Sequence, residues 1–294
     1  MTSEAAPPGS PEALLAKFGI AVAPGAVRPF PGGRDLRRVE HGDGLLLKRF
    51  WRLDAHRAPI LDAVLEVCSS RGITPPWLPS TEGGRLLRSG DAYYGVRAFV
   101  PERPDPIDSA RAAESVARMH LALADVPYRG PEPLPPLHVP PGQVRRLLHD
   151  NGLEKFAPLL DAAERLAPQV PRQLVHNDLH PGNFLAGSGG RVYLIDFESF
   201  SANPRIVDVL FAGFRLGEAT VDAARRFLDL YAAHLEPTPE EHRLGPLLLA
   251  ADFVRKIAFI LKEREAGNAA FMSDMEKYRG YADAAATWAE RSGW

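Results

Sequence analysis

The chain has 294 residues, 45% hydrophobic and 24% charged, enough for one large or two modest domains with a core. Lysine plus arginine (35) nearly balances aspartate plus glutamate (37), and a formal charge of -2 supplies no global field for nucleic acid or an acidic membrane. The single cysteine, Cys68, rules out an internal disulfide and a thiolate metal cluster, and no apolar run approaches the ~20 residues that span a bilayer. Residues 1–11, "MTSEAAPPGSP", lack the basic start and apolar middle of a signal peptide and read as a disordered lead-in, so the expected compartment is the cytoplasm.

"EALLAKFGI" (12–20) suits a short helix ended by Gly19. From 26 to 50, turn signals at Gly32-Gly33 and in "HGDG" bracket short strands, the last of which, "LLLKRF", carries Lys48. A helix follows from about Pro59 to Arg71, with Ile60, Leu61, Val64, Leu65 and Cys68 on one face. "GGRLLRSGDAYYGVRAFV" then gives two more strands around a turn at Ser89-Gly90-Asp91. The first hundred residues thus form a small sheet with one main helix.

"PERPDPID" (101–108) is a Pro-rich connector, after which helical periodicity dominates. "DSARAAESVARMHLALADV" places Ala112, Val116, Met119 and Leu123 on one stripe, capped by Asp108 or Ser109. The Pro-rich stretch 127–141 reads as a surface insertion, and helices are expected near 142–150 and 152–167. Thr238-Pro239-Glu240-Glu241 is a capping box opening a later helix. A P-loop, a nucleophile elbow, a G-x-G-x-x-G turn and H-E-x-x-H are all missing from the sequence.

What remains is "QLVHNDLHPGNFL" (173–185). His176, Asp178, His180 and Asn183 fall within eight residues, a density of polar side chains that packing does not call for. His176-Asn177-Asp178-x-x-x-x-Asn183 keeps the spacing written H-R-D-x-x-x-x-N in protein kinases. Thirteen residues on, after the turn "AGSGG", the apolar strand "RVYLIDF" ends at Asp196 where those enzymes have D-F-G. A hairpin between them can bring Asn183 and Asp196 to one metal ion. Taken alone, each of these residues is also compatible with capping a polar turn.

"VHNDLHPGNFL" and "LIDFE" resemble the two signature stretches of the aminoglycoside phosphotransferase and choline kinase family, a branch of the protein-kinase-like fold. "ESVARMH" is similar to the helix that family places ahead of its catalytic loop, and "NPRIVDV" (203–209) to the segment after its metal-binding aspartate. The resemblance spans roughly residues 28 to 215. It implies an α+β, bilobal fold: a small antiparallel β lobe with one main helix (1–100) and a larger, mostly helical lobe (101–294) for catalysis and acceptor binding.

It also implies ATP and Mg²⁺ as cofactors and a small-molecule hydroxyl as acceptor. Asp178 would orient the acceptor hydroxyl and take its proton, Asn183 and Asp196 would hold Mg²⁺, and Lys48 would reach the α/β-phosphates. Asp62, ahead of Glu66, is the expected acidic partner of Lys48. Adenine is expected at the connector near Phe99 and Val100, His176 would shape the loop, and Asp208 would brace it. His180 reads as a turn residue, and Glu198 stands where protein kinases have glycine, either supporting the metal site or capping the turn. Only about eight residues separate Asp196 from the next helix, near Arg205, too few for a peptide-docking activation segment. A kinase of a peptide and a non-catalytic ATP-binding module remain the alternatives. The charges of "DFVRKIAFILKERE" (252–265) read largely as a solvated helix face.

Overall fold

The computed structural model describes residues 9–23, 25–31, 35–50, 53–101, 106–126, 139–268 and 272–293. The first eight residues of the lead-in, the Gly32-Gly33 turn, half of the 101–108 connector and most of the Pro-rich stretch lie outside the described residues. The chain divides into two compact units, Met1–Pro106 with Phe184–Glu198, and Ile107–Asn183 with Ser199–Trp294.

The first unit opens with α1 (Pro11–Ala16), whose first turn is capped by the Ser10 hydroxyl accepting from the Ala13 amide. A five-stranded antiparallel sheet follows, in the order β1-β2-β3-β5-β4. Its strands are β1 (Val27–Pro29), β2 (Leu36–Val39), β3 (Leu45–Phe50), β4 (Leu87–Ser89) and β5 (Ala92–Ala98). Between β3 and β4 lies α2 (Ala58–Ser70), which buries Leu61, Val64, Leu65 and Cys68 at the three- and four-residue spacing of one helix face.

Alternation along β3 sends Leu47 into the cluster formed by Leu14, Leu15, Phe18, Ile20, Val39, Leu87 and Val96. Lys48 therefore points to the opposite face, together with Leu46 and Phe50. In register it stands opposite Gly95 of β5. A Cβ at Gly95 would meet the Trp77 ring at 2.7 Å, so that strand can approach the indole only as glycine.

The first unit also contains the hairpin of β7 (Phe184–Ala186) and β8 (Val192–Leu194), the pair expected from "AGSGG". Its Leu194 amide donates to the Ile73 carbonyl just after α2 (2.8 Å).

The second unit is helical: α3 (Ser109–Ala124), α4 (Pro141–His149), α5 (Ala157–Leu166), α6 (Arg205–Leu216), α7 (Val221–Ala232), α8 (Pro239–Glu265) and α9 (Met275–Arg291). Asp108 caps α3 by accepting from the Arg111 amide at 2.8 Å, and Thr238 and Glu241 form the reciprocal capping box of α8. Arg205 grips the fully buried Glu241 carboxylate through two bonds of 2.8 and 2.9 Å, tying the start of α6 to the start of α8.

A two-stranded ladder pairs β6 (Arg172–Val175) with β9 (Ser201–Pro204), a strand the sequence reading did not anticipate. Both flank the polar stretch and fix where its loop leaves and where α6 begins. Among the described residues no helix is long and apolar enough to cross a membrane.

Candidate functional site

The polar loop sits in the second unit, between β6 and the short 3-10 turn Pro181–Asn183. Its backbone is anchored on Asp208, a first-turn residue of α6 that is only 1% exposed. One carboxylate oxygen accepts the His176 amide and the other the Asn177 amide, each at 2.7 Å. The His120 ring of α3 places Nε2 3.4 Å from the same carboxylate and Nδ1 3.0 Å from the Tyr231 hydroxyl. A buried carboxylate that accepts two backbone N–H groups locks the chain where it turns.

That turn requires Asn177 to take φ 65°, a left-handed conformation asparagine tolerates better than most residues. Its side chain is fully engaged: the amide nitrogen donates to the Ser199 carbonyl and to the Ser201 hydroxyl, while its oxygen accepts from Asn203 at 3.0 Å. The Asn177 carbonyl accepts from the Lys256 ammonium of α8 at 3.1 Å. Lys256 is buried beside Asp252, 3.7 Å away and one helical turn earlier, with its ammonium 4.6 Å from the Phe211 ring centroid. Burial pushes the Asp252 carboxyl above its usual range against the pull of Lys256. Burial alone would lower Lys256, but the carboxylates of Asp252 and Asp178 carry it above its ordinary value.

With its two flanks pinned, Asp178 projects from a loop closed by short local bonds. Its carbonyl accepts from the Asn183 side-chain nitrogen at 2.7 Å and from the His180 amide at 2.9 Å. Asn183 thus uses its nitrogen internally, which presents its oxygen as an available donor atom for a cation. His180 Nδ1 accepts the Gly182 amide at 3.1 Å, so its proton belongs on Nε2, 3.8 Å from the Asp178 carboxylate.

In the first unit, Lys48 of β3 reaches across 148 residues of sequence to Asp196, just past β8, at 2.8 Å. Glu198 completes the cluster at 2.6 Å from the same ammonium. Burial works against the Lys48 charge, yet the two carboxylates raise its pKa above the ordinary lysine value. Asp196 itself has φ 66°, so the chain turns sharply where the strand ends. Arg97 of β5 is buried nearby, and loss of water lowers its pKa to about 10 against the pull of Asp196.

Asp62 does not take the place expected for it. Its carboxylate accepts the Arg85 and Leu86 amides, the latter at 2.7 Å, and so caps the entry into β4 instead of meeting Lys48. Glu66 is turned to Arg85, 3.9 Å away. The Phe99 amide donates to the Gly44 carbonyl at 3.0 Å and its ring carries the Arg38 guanidinium 3.2 Å from the centroid.

A family model described as the phosphotransferase enzyme family matches residues 26–247. The chain belongs to that family. Among solved structures, an aminoglycoside phosphotransferase from Alicyclobacillus acidocaldarius is 18% identical over 99% of both chains, with a TM-score of 0.60. Choline kinase LicA from Streptococcus pneumoniae is 18% identical over 88% of this chain and 92% of its own, with a TM-score of 0.62. The amicoumacin kinase hAmiN is 17% identical over 91% and 93%, with a TM-score of 0.65. These likenesses show the fold, and this phosphotransferase-family chain has the protein-kinase-like one. A search of the curated proteins found no match.

In this family member the second unit brings His176, Asp178, His180, Asn183 and Asp208 together, and the first unit joins Lys48 to Asp196. The sequence reading passed over Asn177, His120 and the Asp252–Lys256 pair, and it did not link Glu198 to Lys48. The one signal for Asp252 and Lys256 was their four-residue spacing inside the apolar run "LLLAADFVRKIAFIL", which argued against the solvated face assigned to them. Among the described residues no group of three or more His, Cys, Asp and Glu side chains could hold a metal ion. Mg²⁺ takes oxygen ligands and keeps water and phosphate oxygens as most of them. The Asp196 carboxylate, facing the Lys48 cation in the first unit, and the Asn183 side-chain oxygen in the second are each donors of that kind.

Proposed function

We propose that the protein is an ATP-dependent phosphotransferase that moves the γ-phosphate to a hydroxyl of a small molecule. The observation that carries the reading is the Lys48–Asp196 contact at 2.8 Å, because two residues 148 apart in sequence meet where a nucleotide site needs a phosphate cation beside a metal carboxylate. Lys48 holds the α/β-phosphates. Asn183 and Asp196 hold Mg²⁺, which when bound supplies neutralisation of phosphate charge. Asp178 accepts the proton of the acceptor hydroxyl from a loop that Asp208 and His176 keep in shape. The adenine lies against the backbone at Phe99 and Val100.

The structural relatives support the nucleotide and the acceptor class. LicA has been solved with AMP, the amicoumacin kinase hAmiN with AMP-PNP, Ca²⁺ and Ami, and an aminopropanol kinase also shares the fold. The chain between Asp196 and α6 favours a small acceptor over a peptide. It consists only of the turn Phe197–Ser199, Phe200 and β9, a stretch fully committed to local structure. The test is ADP release with Mg-ATP across a panel of amino alcohols, sugars, aminoglycosides and other hydroxylated compounds, with mass spectrometry of the acceptor. Metal-dependent ADP release tied to a phosphorylated compound is the expected result. Tight Mg-ATP binding with no turnover on any such compound would transfer the reading to a peptide acceptor or to a binding module.

A further inference from the structure

The acid that holds the strand lysine in place was expected on α2, and both candidates there are engaged elsewhere: Asp62 with the amides that begin β4, Glu66 with Arg85. Lys48 still has two carboxylates, and they are not equivalent. The Asp196 side chain is 47% exposed, while Glu198 is 20% exposed and lies closer to the ammonium, at 2.6 Å. The backbone at Glu198 is clamped as well: its carbonyl accepts from the guanidinium of Arg57, a buried residue at the N-terminus of α2, at 2.8 Å. The helix thus reaches the lysine's partner through an arginine and a carbonyl instead of presenting the acid itself.

We propose that Glu198 is the positioning partner of Lys48, doing from the segment after β8 what an acid on α2 was expected to do. The assignment rests on the reading of Lys48 as the phosphate-binding cation. Its physical sense lies in the division of labour between the two carboxylates. Asp196 is the one proposed to face a metal ion, and a carboxylate drawn to a divalent cation no longer holds the ammonium in place. Glu198 keeps Lys48 extended along the strand face throughout, and Arg57 keeps Glu198 from following the nucleotide.

The test is a double-variant cycle read by calorimetry of AMP-PNP binding, with Mg²⁺ and in EDTA, on the wild type, Glu198→Gln, Lys48→Met and the double variant. Loss of a negative charge by itself favours an anionic ligand, so weaker binding of Glu198→Gln in EDTA, where no metal takes part, points to Lys48. The expected result is a loss of roughly fivefold in both conditions, within the range for coupled neighbours in one charged network, and no further loss when Glu198→Gln is added to Lys48→Met. Glu198→Asp, which keeps the charge, recovers most of the affinity. Equal effects of Glu198→Gln with and without Lys48, or a loss confined to the Mg²⁺ titration, overturn the assignment, the second outcome making Glu198 a partner of the metal. If the wild type binds no nucleotide, it is the reading of Lys48, and with it the proposed function, that fails. Matching thermal melting curves for wild type, Glu198→Gln and Glu198→Asp guard against a trivial loss of fold.

Discussion

Replacing Asp208 by asparagine probes how firmly the loop under Asp178 is held. The carboxylate takes one amide on each oxygen, both at 2.7 Å, in a site that is 1% exposed. Asparagine has a single acceptor oxygen, so one of the His176 and Asn177 amides would face an NH₂ group and lose its acceptor. A hydrogen bond to a charged group contributes about 1.5–3 kcal/mol, and a buried amide without a partner costs about 1–3 kcal/mol. Together these predict a loss of about 4 kcal/mol, a large share of the roughly 5–15 kcal/mol that stabilises a typical domain. At 1.4 kcal/mol per factor of ten, the two amides should exchange with deuterium ~10²–10³-fold faster than in the wild type. Hydrogen exchange by NMR reads the two amides directly, and urea unfolding reads the whole. If both amides exchange within about threefold of wild type and the urea midpoint is unmoved, the anchoring role of Asp208 is wrong.

Asp178→Asn should leave Mg-nucleotide affinity nearly unchanged and lower kcat by at least ~10²-fold once an acceptor is in hand, the lower end of general-base contributions; turnover that survives removes Asp178 from the chemistry. Asp196→Ala should abolish the tightening of ATP binding by Mg²⁺, and calorimetric curves that respond to metal as in the wild type would contradict the role given to Asp196. Lys256→Met leaves Asp252 buried without its partner and takes a donor from the Asn177 carbonyl, for an expected loss of about 3–5 kcal/mol in urea unfolding. Adding Asp252→Leu should recover much of it, and strictly additive losses would mean the two residues are not a pair.

Much of the first unit was legible because its information is local. Turn residues separate the strands, β3 alternates, and α2 repeats its apolar positions every three or four residues. The loop from His176 to Asn183 was legible for a different reason: its residue types and spacing are dictated by bonds made within the loop itself, such as that from Asn183 to the Asp178 carbonyl. β9 was not legible, since "SANP" carries no alternating pattern and becomes a strand only because β6, thirty residues earlier, offers it a ladder. The burial of Asp252 and Lys256 was misread because a charge on a helix looks solvated until one knows what packs over it. Here the cover includes the Asn177 carbonyl, 79 residues away. Asp62 shows the converse: its placement on α2 fitted the lysine-partner role, but two amides at the start of β4 were nearer.

The hairpin of β7 and β8 belongs to the first unit although the chain on either side of it belongs to the second. On the ribosome this imposes an order. The sheet and α2 emerge by Pro106, but the carboxylates that meet Lys48 and the carbonyl that receives Arg57 follow about ninety residues later, roughly 5–20 s of synthesis at ordinary rates. For that interval Lys48 is a cation on an apolar strand face without its acids, and the Ile73 carbonyl waits for the Leu194 amide. A nascent chain with residues 1–106 clear of the exit tunnel should therefore be protease-sensitive, and one extended until Glu198 is also clear should resist. The first unit, begun first, closes only when its second piece, Phe184–Glu198, has been made.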